Sequence, residues 1–207
     1  MQLYIFPPSP NSLRCQAVAN QLGIDLELVP LDLSKGAHMD ERYVRLNPNH
    51  KIPTLVDRDF VLWESGAIML YLAQMKPEAG LIPNDPQRRA KMAQWLFWNT
   101  AHFGPACGTF ITENLVKKIL NLGDPDPDAL AKGKDEFARF AKVISDHLDG
   151  KDFVVGDSMS LADHAIASWF VHADSSGYPL AGFDTLTKWA GNVLESEPWR
   201  RALAVII

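Results

Sequence analysis

The chain has 207 residues, 47% of them apolar and 22% charged, with a formal net charge of −5. That length allows one large domain or two small ones, and the composition is that of a folded globular protein and not of a disordered chain. The acidic balance argues against a nucleic-acid partner, which calls for a basic excess or stripe; the pairs Arg88-Arg89, Lys117-Lys118 and Arg200-Arg201 read as solvated helix faces.

The chain opens on an apolar run, Met1–Phe6, with no basic region before it and with Pro7 and Pro8 directly after. This is not the pattern of a signal peptide, so a cytoplasmic location is the default expectation. No later run approaches the roughly 20 apolar residues of a membrane span, and no membrane partner is expected. Gln2–Phe6 alternates and predicts a strand. Ser12–Leu22 predicts a helix, with Gly23 as its stop. Leu26–Leu33 reads as a second strand, and Pro30 marks it for an edge. Asp40–Leu46 reads as a short helix. Pro53–Val56 and Phe60–Trp63 flank the polar turn Asp57-Arg58-Asp59 as a hairpin. Glu64–Gln74 is apolar nearly all round, as a buried helix is. The order is therefore β-α-β-α-β-β-α, a parallel βαβ unit followed by an antiparallel hairpin.

Residues 77–86 hold Pro77, Gly80, Pro83 and Pro86 and read as a linker between a mixed α/β domain, 1–76, and an all-helical domain, 87–207. In the second, Pro86–Leu122 predicts a long helix with a kink near Gly104-Pro105. Ala129–Leu148, Leu161–Ala173, Asp184–Leu194 and Pro198–Val205 predict further helices. Ser160 and Asp163 form a capping-box variant before the third of these five helices, so a capping role is expected for Asp163. Trp95, Phe97, Trp98, Phe103 and Phe110 are expected to be mostly core, with one or two lining an apolar pocket.

The chemistry concentrates in Leu46–Ala73, LNPNHKIPTLVDRDFVLWESGAIMLYLA. Pro53 opens a strand without a donor, leaving the Ile52 backbone for a ligand. A cis bond there would aim the Ile52 amide and carbonyl outward, where an extended peptide could pair with them as a strand. Glu64-Ser65-Gly66 opens the buried helix. Its free amides suit a carboxylate, Ser65 adds a hydroxyl, and Glu64 can accept from an ammonium. His38, His50 and Lys51 offer donors for a second carboxylate. The two cysteines, Cys15 and Cys107, form no CxxC or zinc pattern, and no metal is expected.

This block resembles the glutathione-binding region of cytosolic glutathione transferases, most of all bacterial, theta-, delta- and nu-type members. The family pattern NP-x-x-x-(V/I)-P-x-L followed by ES-x-A-I is present, and Val155–Asp163 resembles the helix-capping motif of the second domain. There the usual apolar staple is replaced by Met159 and His164. The resemblance implies a thioredoxin-like domain followed by an all-helical domain. It further implies glutathione as co-substrate, an apolar electrophile or a disulfide as second substrate, and a homodimer. The glutathione-binding set would be His38, His50, Lys51, Ile52, Pro53, Glu64 and Ser65.

The resemblance also places a thiol-facing residue just after the first strand. Counted back from Gly23, that residue is Ser9, with Asn11 assisting. Ser12 competes in a shifted register, although a cap role suits it better. The site needs a donor because only the thiolate is a good nucleophile, and a hydrogen bond to it lowers the thiol pKa. Two alternatives stay open: a glutathione-dependent disulfide reductase or peroxidase, and a ligand carrier with this fold.

Overall fold

In the computed structural model, which describes residues 1–204, four strands form one sheet. They are β1 (Gln2–Ile5), β2 (Glu27–Pro30), β3 (Thr54–Asp57) and β4 (Phe60–Trp63), in the order β2-β1-β3-β4. β1 and β2 are parallel, with Gln2 opposite Glu27. β1 and β3 are antiparallel, with Tyr4 opposite Thr54, and β3 and β4 form the hairpin, with Thr54 opposite Trp63. The expected mixed topology is thus observed, and Pro30 lies on an edge strand. β2 is shorter than expected. After Leu31 donates to Ile5 O, Asp32 accepts from Ser34 N and turns the chain into a 3-10 helix, Leu33–Lys35.

Three helices complete the βαβαββα order: α1 (Pro10–Leu22), α2 (Glu41–Leu46) and α3 (Ser65–Gln74). α1 starts at Pro10, before the expected Ser12, because Ser9 caps it and a proline with fixed φ suits the first helical position. Gly23 ends it at φ 63°, a left-handed conformation that costs glycine little.

The described chain divides into two compact units, Met1–Ile82 together with residues 195–204, and Pro83–Leu194. The final helix, Glu197–Leu203, therefore belongs to the first unit. It packs on α1, and Asn20 Nδ2 donates to Pro198 O at 3.0 Å. The expected end of that helix at Val205 lies outside the described residues.

The second unit is helical throughout its regular structure: α4 (Pro86–Trp98), α5 (Gly104–Ile111), α6 (Lys117–Leu120), α7 (Pro127–His147), α8 (Leu161–Ala167), α9 (Ala173–Ser176) and α10 (Asp184–Leu194). The final helix, Glu197–Leu203, is α11. The expected kink near Gly104-Pro105 takes the form of a π-helical turn, Asn99–Phe103, closed by Gly104 N donating to Asn99 O. Pro105 has no N–H and its ring crowds the carbonyl one turn back, and the wider turn accommodates both. Gly104 is required here, since a Cβ would meet Asn99 O at 2.8 Å and the Trp169 ring at 2.9 Å.

The expected single helix Leu161–Ala173 tightens into a 3-10 segment at Ser168–His172, where the Ser168 hydroxyl donates back to Ala165 O. Phe103, Phe110, Phe137, Phe170 and Tyr178 form an aromatic core with ring centroids 5.1–6.3 Å apart. Phe97 departs from the expected core run and is 75% exposed. Asp163 is fully buried. Its carboxylate accepts from Val154 N, Ser160 N and Ser160 Oγ, each at 2.8 Å.

Candidate functional site

Strand directions bring the sequence candidates to one end of the sheet. β1 and β2 run parallel, so the segments that follow them, Phe6–Ser12 and Leu31–Met39, leave at the same end. β3 runs against β1, so the loop that precedes it, Asn47–Pro53, arrives there. β4 runs against β3 and exits there into Glu64. Ser9, Asn11, His38, His50, Lys51, Ile52, Pro53, Glu64 and Ser65 thus share the end where the parallel strands finish, the usual ligand side of an α/β sheet.

Ser9 and Ser12 are separated by their hydrogen bonds. Ser9 Oγ accepts from Ser12 N at 3.4 Å and caps α1. A hydroxyl has one proton and two lone pairs, so this acceptance leaves the proton to donate. Ser9 is 9% exposed. Ser12 is 0% exposed, and its Oγ accepts from Phe6 N at 3.3 Å, tying the exit of β1 to the helix. The expectation that Ser12 is the cap is therefore corrected: Ser9 is the cap and Ser12 is the tie. A hydroxyl sealed from solvent and facing the strand exit has no path to a ligand.

Asn11, in the first turn of α1, accepts at Oδ1 from Ser65 Oγ at 3.3 Å. One turn later, Cys15 Sγ donates to Ser65 O at 3.6 Å. Asn11 and Ser65 are thereby brought together across the start of α1 and the start of α3, and Ser9 stands at that same start of α1. Glu64, just before α3, is exposed and has φ 71° and ψ 113°. A non-glycine residue in such a region costs on the order of 1–3 kcal/mol, and such residues cluster at binding sites. Among the described residues the Glu64 side chain makes no capping bond to α3. The first amides of that helix are therefore not satisfied by it.

The Ile52–Pro53 peptide is cis. β3 begins at Thr54, so Ile52 lies ahead of the paired register. The loop that carries it is shaped by a polar network absent from the sequence reading. Tyr43 OH donates to Lys51 O and lies 2.9 Å from Thr54 Oγ1. Asn47 Nδ2 donates to Lys51 O at 2.8 Å and to Thr54 Oγ1 at 3.0 Å, while Asn47 Oδ1 accepts from Asn49 N. Burial, above all, pushes the Tyr43 phenol above its ordinary value, so it stays a donor. Asn47 stood inside the recognised motif, whereas nothing in the local sequence marks Tyr43.

His38 lies in a 3-10 turn, Ala37–Met39, and His50 in the loop at φ 56°. Both are partly buried, and each has a buried Nδ1 without a hydrogen-bond partner among the described residues. Lys51 is exposed. No hydrogen bond among the described residues joins these three side chains to one another or to Ser9, Asn11 and Ser65; they share only the end of the sheet. Among the described residues no group of three or more His, Cys, Asp or Glu could hold a metal ion. Nor is any helix there long and apolar enough to cross a membrane.

Known proteins resemble the chain along most of its length. The family model for the glutathione S-transferase N-terminal domain matches residues 1–74, and that for the C-terminal domain matches residues 101–197. The chain is 34% identical to glutathione S-transferase D7 of Drosophila melanogaster over 206 residues, covering 98% of this chain and 88% of that one. It is 38% identical to glutathione S-transferase 3 of Zea mays over 170 residues, covering 80% and 76%. Among solved structures, that of glutathione S-transferase III in its apo form superposes with a TM-score of 0.84 at 32% identity, covering 99% and 96%.

Proposed function

Because the chain belongs to the glutathione S-transferase family, we propose that it binds glutathione at this end of the sheet and activates its thiol for attack on an electrophile. The observation that carries the reading is the hydrogen bond from Ser65 Oγ to Asn11 Oδ1, which joins the helix start suited to a carboxylate with the loop that bears Ser9.

Glutathione is an extended peptide with a carboxylate at each end. Its γ-glutamyl carboxylate faces the first amides of α3, that of Ser65 among them, where the helix dipole favours an anion, while the Ser65 hydroxyl proton stays on Asn11 Oδ1 and fixes that helix start. The Glu64 carboxylate accepts from the α-ammonium. The cysteinyl unit pairs with the Ile52 backbone, ahead of Pro53, as an added strand. The glycyl carboxylate takes His38, His50 and Lys51 as donors. Ser9 then donates its remaining proton to the sulfur, with Asn11 assisting through its amide. Such a bond favours the thiolate over the thiol. The thiolate forms a carbon–sulfur bond with an apolar electrophile and displaces its leaving group, or adds to an activated double bond. No metal enters the reaction. The site is cytoplasmic, in a homodimer.

Asn11 beside Ser65 favours a second reaction at the same sulfur: attack on a disulfide, releasing one thiolate and leaving a mixed disulfide with glutathione. The test is calorimetric titration of glutathione into wild type, Glu64→Ala and Ser65→Ala, with turnover assays on an aryl halide and a small disulfide. Glu64→Ala removes a hydrogen bond to a charged group, worth about 1.5–3 kcal/mol, and should weaken binding about ten- to a hundredfold; Ser65→Ala frees the α3 start from Asn11 and should weaken it less. Unchanged affinity in both variants would overturn the assignment of the α3 start. Binding without either turnover would favour the carrier reading.

A further inference from the structure

Ser65 is held from behind by one face of a neighbouring helix. Asn11 and Cys15 stand one turn apart on α1, so their side chains share a face. Asn11 Oδ1 accepts from the Ser65 hydroxyl at 3.3 Å, and Cys15 Sγ reaches the Ser65 carbonyl at 3.6 Å. One contact holds the side chain and the other the backbone of the same residue. α1 and α3 pack directly on each other along this seam.

Cys15 is 0% exposed. It is no nucleophile: burial pushes its thiol up to about 12, so near neutral pH it carries its proton and serves as an S–H donor. A buried S–H takes an acceptor within reach, and here that acceptor is the carbonyl that opens α3. The position of that peptide unit matters because the amides of the same turn are the ones offered to the ligand, and Glu64, directly before it, sits in an unfavourable backbone region at φ 71°. An unfavourable conformation persists only where its surroundings hold it.

We propose that Cys15 is a positioning residue for glutathione, gripping the Ser65 carbonyl while Asn11 grips the Ser65 hydroxyl, so that this face of α1 sets the γ-glutamyl subsite. The inference rests on the proposed function in assuming that Ser65 meets the ligand. It adds a buried residue that never touches the ligand and acts through Ser65 alone.

The experiment measures the affinity of S-methylglutathione, which has no ionisable thiol, by calorimetry, together with the thermal midpoint of each variant. Cys15→Ala removes the donor, and Cys15→Ser keeps one at similar size. Leu13→Ala, a buried truncation on the opposite face of α1, controls for destabilisation alone. One neutral hydrogen bond sets the ceiling, so Cys15→Ala should weaken binding by up to about tenfold. Cys15→Ser should recover most of that affinity, and Leu13→Ala should lower the midpoint without changing affinity. A Cys15→Ala protein with a lowered midpoint and wild-type affinity would overturn the inference and leave the proposed function standing. Equal weakening by Leu13→Ala would overturn it too. Should Cys15→Ala not fold, Cys15→Val replaces it in the same comparison. Failure of the wild type to bind S-methylglutathione would instead count against the proposed function itself.

Discussion

Ser9 caps α1 and is also the residue proposed to face the glutathione thiol. As the cap of α1 it accepts from Ser12 N, and the same hydroxyl keeps a proton to donate. Capping and thiol activation were competing readings of the sequence, but hydrogen-bond arithmetic makes them compatible. Ser12 is different: its hydroxyl is consumed by Phe6 N inside the unit, so Ser12→Ala should lower the thermal midpoint and leave the chemistry alone. His164 gives a prediction in pH. Burial holds its imidazole down at about 3, against an unfolded value near 6.5. The unfolded chain therefore binds the proton first. The stability that His164 contributes in its neutral state is complete above roughly pH 6.5 and is lost as the pH falls toward 3, with a limiting slope of about 1.4 kcal/mol per pH unit. Burial pushes the adjacent Asp163 carboxyl up, which acts in the opposite sense, so the comparison must be made against a His164 variant. The stability difference between wild type and His164→Met should shrink steadily on acidification in urea titrations. Parallel curves would show that His164 does not titrate as a buried neutral group.

At the scale of the element, what could be read from sequence is what local physics decides. Phe60–Trp63 and Asp184–Leu194 have the expected bounds, because a polar turn or a clear amphipathic period defines each of them. Pro30 identified an edge strand because a missing donor is a property of one residue. The π-helical turn before Gly104 and the 3-10 segment at Ser168 were not legible. The proline ring and the hydroxyl returning to the backbone are local and signal a break without fixing its type, whereas the tryptophan packed on Gly104 is a tertiary contact. Tyr43 was missed for the same reason, since its reach to Lys51 and Thr54 exists only once the strand and loop have met. The capping box of α8 was legible, and it carries a prediction. Asp163→Ala strips acceptors from the buried Val154 and Ser160 amides. The lost cap costs about 1 kcal/mol, and each stranded donor about 1–3 kcal/mol more. Thermal unfolding should shift well below wild type, while the protein that remains folded should bind glutathione with wild-type affinity. Wild-type stability with lost turnover would reassign Asp163 to the chemistry.

For the molecule as a whole, the division of labour follows the chain only in part. The first unit carries every residue proposed to meet glutathione, and it recruits the end of the chain: α11 packs on α1, which bears Ser9 at its start, and Asn20 holds Pro198 across most of the sequence. A contact that distant leaves no trace in periodicity or motif, and the linker signal at 77–86 could say nothing about it. The four segments gathered at one end of the sheet are proposed to stabilise a thiolate on bound glutathione. The most direct measurement is the ultraviolet thiolate absorbance of the complex, titrated against pH beside free glutathione. A free thiol titrates near 8.5, and a charge-assisted hydrogen bond of about 1.5–3 kcal/mol should lower that by roughly one to two units. Wild type and Ser12→Ala should show this depressed midpoint, and Ser9→Ala should return most of the way to the free value. A wild-type complex that titrates with free glutathione, or a Ser9→Ala complex that titrates with wild type, would rule out Ser9 as the thiolate donor.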